Sequence, residues 1–155
     1  MPGPTLLAVR PRENLRYTPP VMVTVHLHPL PGEKRALELA RLVGRLYRQG
    51  CRTVVWVADE GRRQALDEYL WTFDRLAFVP HVVWDSGMGE VDEPVVLLGE
   101  PRNPNRAAVL VIGDEPAENA WMAGFDEVHD LVPAGREGEA RAARWRELGL
   151  DVVDG

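Results

Sequence analysis

The chain has 155 residues, 45% of them hydrophobic and 27% charged, which is the composition of a soluble globular protein of one domain. Its net charge of −6 argues against tight direct binding to nucleic acid or anionic membranes, and no apolar run approaches the ~18 residues of a membrane span. The lone cysteine, Cys51, excludes an internal disulfide, fits a reducing cytoplasm and is expected to serve packing.

The first elements in chain order are an arm, a strand and a helix. Residues 1–20 carry five prolines and no sustained period, which predicts an irregular arm with one short strand at Thr5–Val9. The β-branched run VMVTVHLHPL predicts a strand that ends at Pro29. Apolar residues at helical spacing then predict a helix over 33–49, with Gly50 as its stop.

The rest of the chain continues this alternation. TVVWVA is typical of a buried parallel strand, and DEGRRQALDEYLW opens with acidic residues, as helix starts prefer. Further strands are predicted from VVW, PVVLLG, AAVLVIGD and EVHDLVP, and further helices from PAENAWMAG and EGEARAARWRELG. Strands that alternate with helices predict an α/β fold with a mainly parallel sheet.

The sequence lacks the parts of a phosphate-binding site. The loop after the first strand, HPLPGEKR, contains neither GxxxxGK[ST] nor GxGxxG, and no helix follows the glycines of DSGMGE. A degenerate nucleotide-binding module remains one hypothesis, testable by a nucleotide-induced thermal shift.

Two of the four histidines are spaced as a pair of metal ligands would be. His26 and His28 lie two apart on a predicted strand and share a face, so they offer two ligands. A third is needed, and His81 and His129 each stand alone in the sequence. The expectation is therefore ordinary strand histidines and no bound metal or cofactor.

One acidic pair falls where catalytic acids often lie. Asp59 and Glu60 follow a strand end, but they also form an ordinary acidic helix start. A metal-dependent α/β nuclease or hydrolase that lacks recognisable motifs is the alternative hypothesis, and loss of activity on Asp59→Ala would favour it.

Residues 66–81, LDEYLWTFDRLAFVPH, contain four aromatic residues where a predicted helix ends and a loop begins. The order LDE-x-LW, a short loop and F-x-P-H resembles the chi subunit of bacterial DNA polymerase III. On either side, ALELARLVGRLYRQGCRTVVWVADE, FDEVHDLVP and EARAARWRELGL are similar to further parts of that family. The resemblance runs from about Val21 to Val152.

The resemblance implies a non-enzymatic accessory subunit of the clamp-loader complex in the cytoplasm. It implies one chi-like domain over 21–155, a three-layer Rossmann-like (mononucleotide-binding-like) sheet flanked by helices without a working nucleotide site. The expected partners are the psi subunit and the acidic C-terminal tail of the single-stranded-DNA-binding protein, with little direct contact to nucleic acid. The acidic net charge agrees with this.

The resemblance assigns psi binding to Trp71 and Phe78. Protein interfaces concentrate their binding energy in a few such anchors. Leu66, Tyr69 and Leu70 are expected to face the core, and Phe73 fits either role.

The resemblance places tail binding on the last helix, where Arg141 and Arg144 are three apart and share a face, with Trp145 as apolar surface beside them. Ala142 and Ala143 depart from the aromatic-basic pair expected there, and Glu139 replaces a common basic residue.

Overall fold

A parallel sheet of seven strands runs through the residues that the computed structural model describes, 23–74 and 78–154. The spatial order is β3-β4-β2-β5-β6-β1-β7, and every neighbouring pair is parallel. The strands are β1 (Thr24–Pro29), β2 (Thr53–Trp56), β3 (His81–Val83), β4 (Val95–Leu98), β5 (Val109–Ile112), β6 (Glu127–Val132) and β7 (Asp151–Asp154). This confirms the predicted α/β class.

Helices cover both faces of the sheet and complete three layers. They are α1 (Arg35–Arg48), α2 (Glu60–Thr72), α3 (Asn119–Met122) and α4 (Gly135–Glu147). Because successive strand side chains point to opposite faces, the sheet feeds two cores. Val55 packs with α1 and α2 in the first core, and Val54 packs with Met122 of α3 and Trp145 of α4 in the second.

Local signals account for the helix bounds. In α1 a stripe that includes Leu39, Val43 and Leu46 is buried against the sheet. Gly50 follows this helix with φ +83°, a backbone conformation that glycine adopts without steric cost, and the chain turns there into β2. In α2 the Asp59 side chain accepts a hydrogen bond of 2.9 Å from the backbone N–H of Arg62 and so caps the N-terminus.

The last strand was not among the predicted elements. β7 adds to the edge of the sheet beside β1, with Val152 paired to Val25. Its sequence, DVVD, has only two apolar residues between two acids, and it begins four residues after the end of α4. The predicted arm at 1–20 and the short strand at Thr5–Val9 lie outside the described residues.

Candidate protein interface

Two large aromatic side chains stand in solvent at the end of α2. Trp71 belongs to the last turn of that helix, and Phe78 lies on the segment that leads into β3. The side chains are 54% and 52% exposed, and their ring centroids are 5.2 Å apart. We call Trp71 and Phe78 the aromatic pair. So much apolar surface held together on the outside of a domain is the usual mark of a binding site.

A buried histidine fixes the position of the aromatic pair. The ring of His81, at the start of β3, lies 4.8 Å from that of Trp71. His81 Nδ1 donates to the Val79 carbonyl oxygen at 2.7 Å, and its Nε2 lies 2.8 Å from Oδ1 of Asp67 on α2. The indole of Trp71 therefore packs on an imidazole that is bonded at both nitrogens. This Asp67–His81 contact was not predicted from the sequence, although both residues belong to LDEYLWTFDRLAFVPH.

The other side chains of this stretch divide between core and surface. Leu66 and Leu70 are buried, as predicted. The inward prediction for Tyr69 is wrong, because its side chain is 37% exposed. α2 buries only Leu66 and Leu70, so its contact stripe is too narrow to include Tyr69. Phe73 is half-buried and packs against the first core.

A cleft of about 750 Å³ opens next to α2 at the carboxyl ends of the central strands. Arg35 of α1, Tyr69 of α2 and Arg141 of α4 line it, together with Asp114 after β5. In open parallel sheets this end is the usual location of a ligand site. Its lining here mixes cations, acids and apolar side chains.

Two arginines that line this cleft, Arg35 and Arg141, bind one buried carboxylate. Asp130 of β6 has no exposed surface. Its Oδ2 accepts from Arg141 Nε at 2.6 Å and from Trp145 Nε1 at 2.7 Å. Its Oδ1 accepts from Arg141 Nη2 at 2.9 Å and from Arg35 Nη2 at 3.1 Å. Two arginines on different helices thus converge on one acid, a bidentate arrangement on the Arg141 side.

The two arginines differ in how far Asp130 offsets the effect of burial on their pKa. Desolvation lowers the pKa of Arg35, which also donates to the carbonyl oxygens of Gly113, Ile112 and Leu131. Desolvation also acts to lower the pKa of Arg141, but the hydrogen bonds and charge of Asp130 outweigh it and raise that pKa. Both guanidinium groups therefore serve as fixed cations within the fold.

These contacts place the three residues predicted to bind the tail. Arg141 and Arg144 do share a face, because both approach Glu115, at 3.6 Å and 3.3 Å. The Arg144 side chain is 56% exposed, whereas that of Arg141 is only 10% exposed and is paired with Asp130. Trp145 is 1% exposed, so the expectation that its indole lends surface to a peptide is wrong. It is a core residue that donates its N–H to Asp130.

Known proteins match this chain over most of its length. The family model described as "DNA polymerase III chi subunit, HolC" matches residues 22–149. The chain belongs to this family. It is similar to the DNA polymerase III subunit chi of Pseudomonas aeruginosa, with 30% identity over 141 residues that cover 86% of this chain and 96% of that protein. It is also similar to the probable DNA polymerase III subunit chi of Rickettsia prowazekii, with 32% identity over 75 residues, or 48% of this chain and 44% of that protein.

Membership in the chi family makes this chain a subunit of DNA polymerase III, with partners inside the replication complex. In the part of the chain that the structure describes, no helix is long and apolar enough to cross a membrane.

The acids at the strand ends of this chi protein are held by its own backbone. Asp114 follows β5 and is buried. Its two oxygens accept from the N–H groups of Ala58, Asp59 and Glu115 at 2.8–3.1 Å. Asp59 caps α2 through its own side chain. The Asp114 carboxylate thus joins the end of β5 to the segment after β2, and the Asp59 carboxylate caps α2. The capping role of Asp59 agrees with its interpretation as a helix start.

The histidine pair predicted on β1 gains a third member from β6. His26 lies directly beside His129 in the parallel register, and their rings stack with centroids 4.6 Å apart. His28 Nε2 lies 2.8 Å from His129 Nδ1. Burial lowers the pKa of His28 to about 4, assisted by the nearby His129 and Arg45, and burial also lowers the pKa of His129. Sequence spacing could not reveal His129, because it lies 101 residues beyond His28.

Proposed function

We propose that this chi-family chain is a non-enzymatic adaptor of the clamp-loader complex. It binds the psi subunit through the aromatic pair, and it binds the acidic C-terminal tail of the single-stranded-DNA-binding protein beside the last helix. In this way it links the polymerase to coated template in the bacterial cytoplasm. The observation that carries the proposal is the aromatic pair, which is exposed and oriented on a fixed histidine.

The aromatic pair has the properties of an interface anchor. A Trp side chain supplies a large contact area at low conformational cost, and anchors in desolvated centres carry most of the energy of an interface. Trp71 and Phe78 are each half exposed, so a partner would remove apolar surface from water at both rings. His81 and Asp67 hold the ring of Trp71 in place, which limits the entropy lost on binding.

The tail proposal rests on the charge around Arg144. An acidic peptide with a terminal carboxylate needs a cation with free surface next to an apolar recess. Arg144 has that exposed surface, and Arg141 connects it to the cleft. Glu115, 68% exposed, pairs with both arginines and therefore competes with a peptide carboxylate for them.

The psi assignment is tested with Trp71→Ala as bait in an extract of the source cell. Loss of a central anchor costs about 2 kcal/mol or more, so recovery of psi and clamp-loader subunits should fall at least tenfold, measured by quantitative mass spectrometry. Met88→Ala, which also removes a large exposed apolar side chain, is the matched control and should retain them. Recovery of single-stranded-DNA-binding protein should persist in both variants.

The same variants separate binding from folding. Because Trp71 is exposed, its replacement should shift the free energy of unfolding by only about 0.5 kcal/mol. Cooperative unfolding of Trp71→Ala at much lower urea than the wild type, or undiminished recovery of psi, would show that this residue does not serve as the docking anchor.

The tail assignment is tested by titrating the chain with a peptide of that acidic tail. Arg144→Ala should weaken binding roughly tenfold, because a charge-assisted hydrogen bond is lost. Arg146→Ala, an exposed arginine two positions on in the same helix, is the control and should bind as the wild type does. Glu115→Gln should strengthen binding up to about fivefold, since it removes the competing carboxylate.

Absence of salt-sensitive binding at high micromolar peptide would remove the tail assignment. If Arg144→Ala and Arg146→Ala lose peptide affinity equally, the peptide is attracted by the charge of the helix as a whole and does not bind at Arg144 specifically.

A further inference from the structure

Four metal-ligating side chains meet on one face of the sheet near its edge. The parallel register sets His26 of β1 opposite His129 of β6, and Thr24 opposite Glu127. Side chains two apart on a strand share a face, so His28 and Glu127 fall on the same face as the stacked pair. The three imidazole rings are nearly parallel, with interplanar angles of 10–21°.

Three donor atoms in this group are close enough to share one cation. His129 Nε2 lies 3.0 Å from Glu127 Oε1, and His26 Nε2 lies 4.0 Å from the same oxygen. All three donors fall within 4.8 Å of one another. Zinc binds imidazole nitrogen and carboxylate oxygen at about 2.0–2.2 Å, so two ligand atoms of a tetrahedral ion are about 3.3–3.6 Å apart. A small closing movement therefore brings the three atoms into one coordination sphere.

The side chains that must move are the ones that have room. His26 and Glu127 are partly exposed, whereas His129 is buried and fixed. An imidazole binds a metal in its own ring plane, so His26 has to tilt out of its present stack on His129. His129 then acts as the anchor, and the two mobile ligands close on it from the solvent side.

His28 supplies the outer support that metal-bound histidines usually have. Its Nε2 lies 2.8 Å from His129 Nδ1. When His129 Nδ1–H donates to His28, the Nε2 of His129 keeps a free lone pair that is directed toward Glu127. A bound metal would replace the proton that His129 Nε2 donates to Glu127. His129 would then carry its proton on Nδ1, and His28 would carry its proton on Nδ1 and accept at Nε2.

We propose that His26, Glu127 and His129 bind a divalent transition metal, Zn²⁺ foremost, with His28 as the outer partner of His129. Two imidazoles and one carboxylate are ligands that zinc accepts, and such a set leaves a further position open to water. The ion would join β1 to β6 where His26 and Glu127 are partly exposed.

The test uses the full chain, stripped of metal with a chelator. Zn²⁺ alone is titrated by calorimetry, and Co²⁺ alone is titrated by visible absorption, whose ligand-field bands report the coordination geometry. One equivalent should bind with a Kd of micromolar or tighter. His26→Gln and Glu127→Gln should each weaken binding at least tenfold, and His28→Gln by roughly tenfold through the lost outer contact.

The matched control is Asp126→Asn, which removes an exposed carboxylate next to Glu127 but outside the ligand group. It should bind Zn²⁺ as the wild type does. His129 is left unchanged because it is buried and its replacement could unfold the chain. The site would be overturned if no Zn²⁺ binding is detected at about 100 µM metal, or if His26→Gln binds Zn²⁺ as tightly as the wild type does.

Discussion

At the scale of single residues, Asp130 joins all three layers of the fold. It belongs to β6, and its oxygens accept from Arg35 of α1 and from Arg141 and Trp145 of α4. Helices on opposite faces of the sheet are therefore tied to one acid at the carboxyl ends of the strands. A buried pair of this kind stabilises little compared with an apolar replacement, but loss of one partner leaves an uncompensated buried charge.

Replacement of that acid should therefore be severe. Asp130→Asn removes the negative charge while two buried guanidinium groups remain, and we expect a loss of about 3–5 kcal/mol in the free energy of unfolding. Urea denaturation followed by circular dichroism measures it. Asp126→Asn, an exposed acid just before the same strand, should stay within about 0.5 kcal/mol of the wild type. A similarly small change in Asp130→Asn would mean that solvent reaches the arginines.

Residue roles were the least predictable part of the sequence. Leu66 and Leu70 were assigned correctly because helical spacing marks them as one stripe. Trp145 was misassigned because its helix is dominated by Arg, Glu and Ala, so the period does not reveal the buried side. The partner that decides its place, Asp130, is 15 positions away on a strand. Tyr69 lies beside a buried stripe of α2 that consists of only two residues, Leu66 and Leu70.

At the scale of elements, the sequence predicts the architecture well. Strands β2, β4 and β5 are buried at every position except the end of β2, and continuous apolar runs of that kind are recognisable without structural knowledge. β7 was not predicted, because an edge strand needs few apolar residues and DVVD has only two. The C-terminal end of α1 was equally visible from Gly50.

Near the start of α4, we expect a glycine-to-alanine change to lower the free energy of unfolding, although such a change usually stabilises a helix. Gly138 lies within this helix, where alanine is normally preferred to glycine by about 1 kcal/mol. A Cβ at this position would overlap the carbonyl oxygen of Pro133 and approach Val132 Cγ1 to 3.0 Å. Gly138→Ala should therefore destabilise the chain by roughly 1–3 kcal/mol in urea unfolding. Glu139, which is exposed in the same turn, supplies the control: Glu139→Ala should be neutral or slightly stabilising. If Gly138→Ala stabilised the chain instead, α4 would have to shift freely against Val132 and Pro133.

At the scale of the whole molecule, topology creates features that no local pattern contains. β1 and β6 are adjacent in the sheet although about a hundred residues separate them, and only this pairing brings His129 to His26 and His28. The same topology brings Arg35 and Arg141 together over Asp130. The sequence therefore predicted the class of fold and the exposed aromatic pair, but not the two polar clusters that depend on strand order.

The net charge of the molecule leads to a prediction about its proposed role at coated template. A net charge of −6 opposes the phosphate contacts on which nucleic-acid binding depends. A fluorescently labelled single-stranded oligonucleotide alone should therefore show no binding at low micromolar protein and about 150 mM salt, which is physiological ionic strength. With the oligonucleotide coated by its single-stranded-DNA-binding protein, anisotropy should rise on addition of the chain. Arg144→Ala should reduce that rise and Trp71→Ala should leave it unchanged, because the proposed tail site and the aromatic pair belong to different elements. Direct binding of the bare oligonucleotide, or a rise that survives removal of the acidic tail, would mean that the chain reaches template by its own contacts rather than through the protein that coats it.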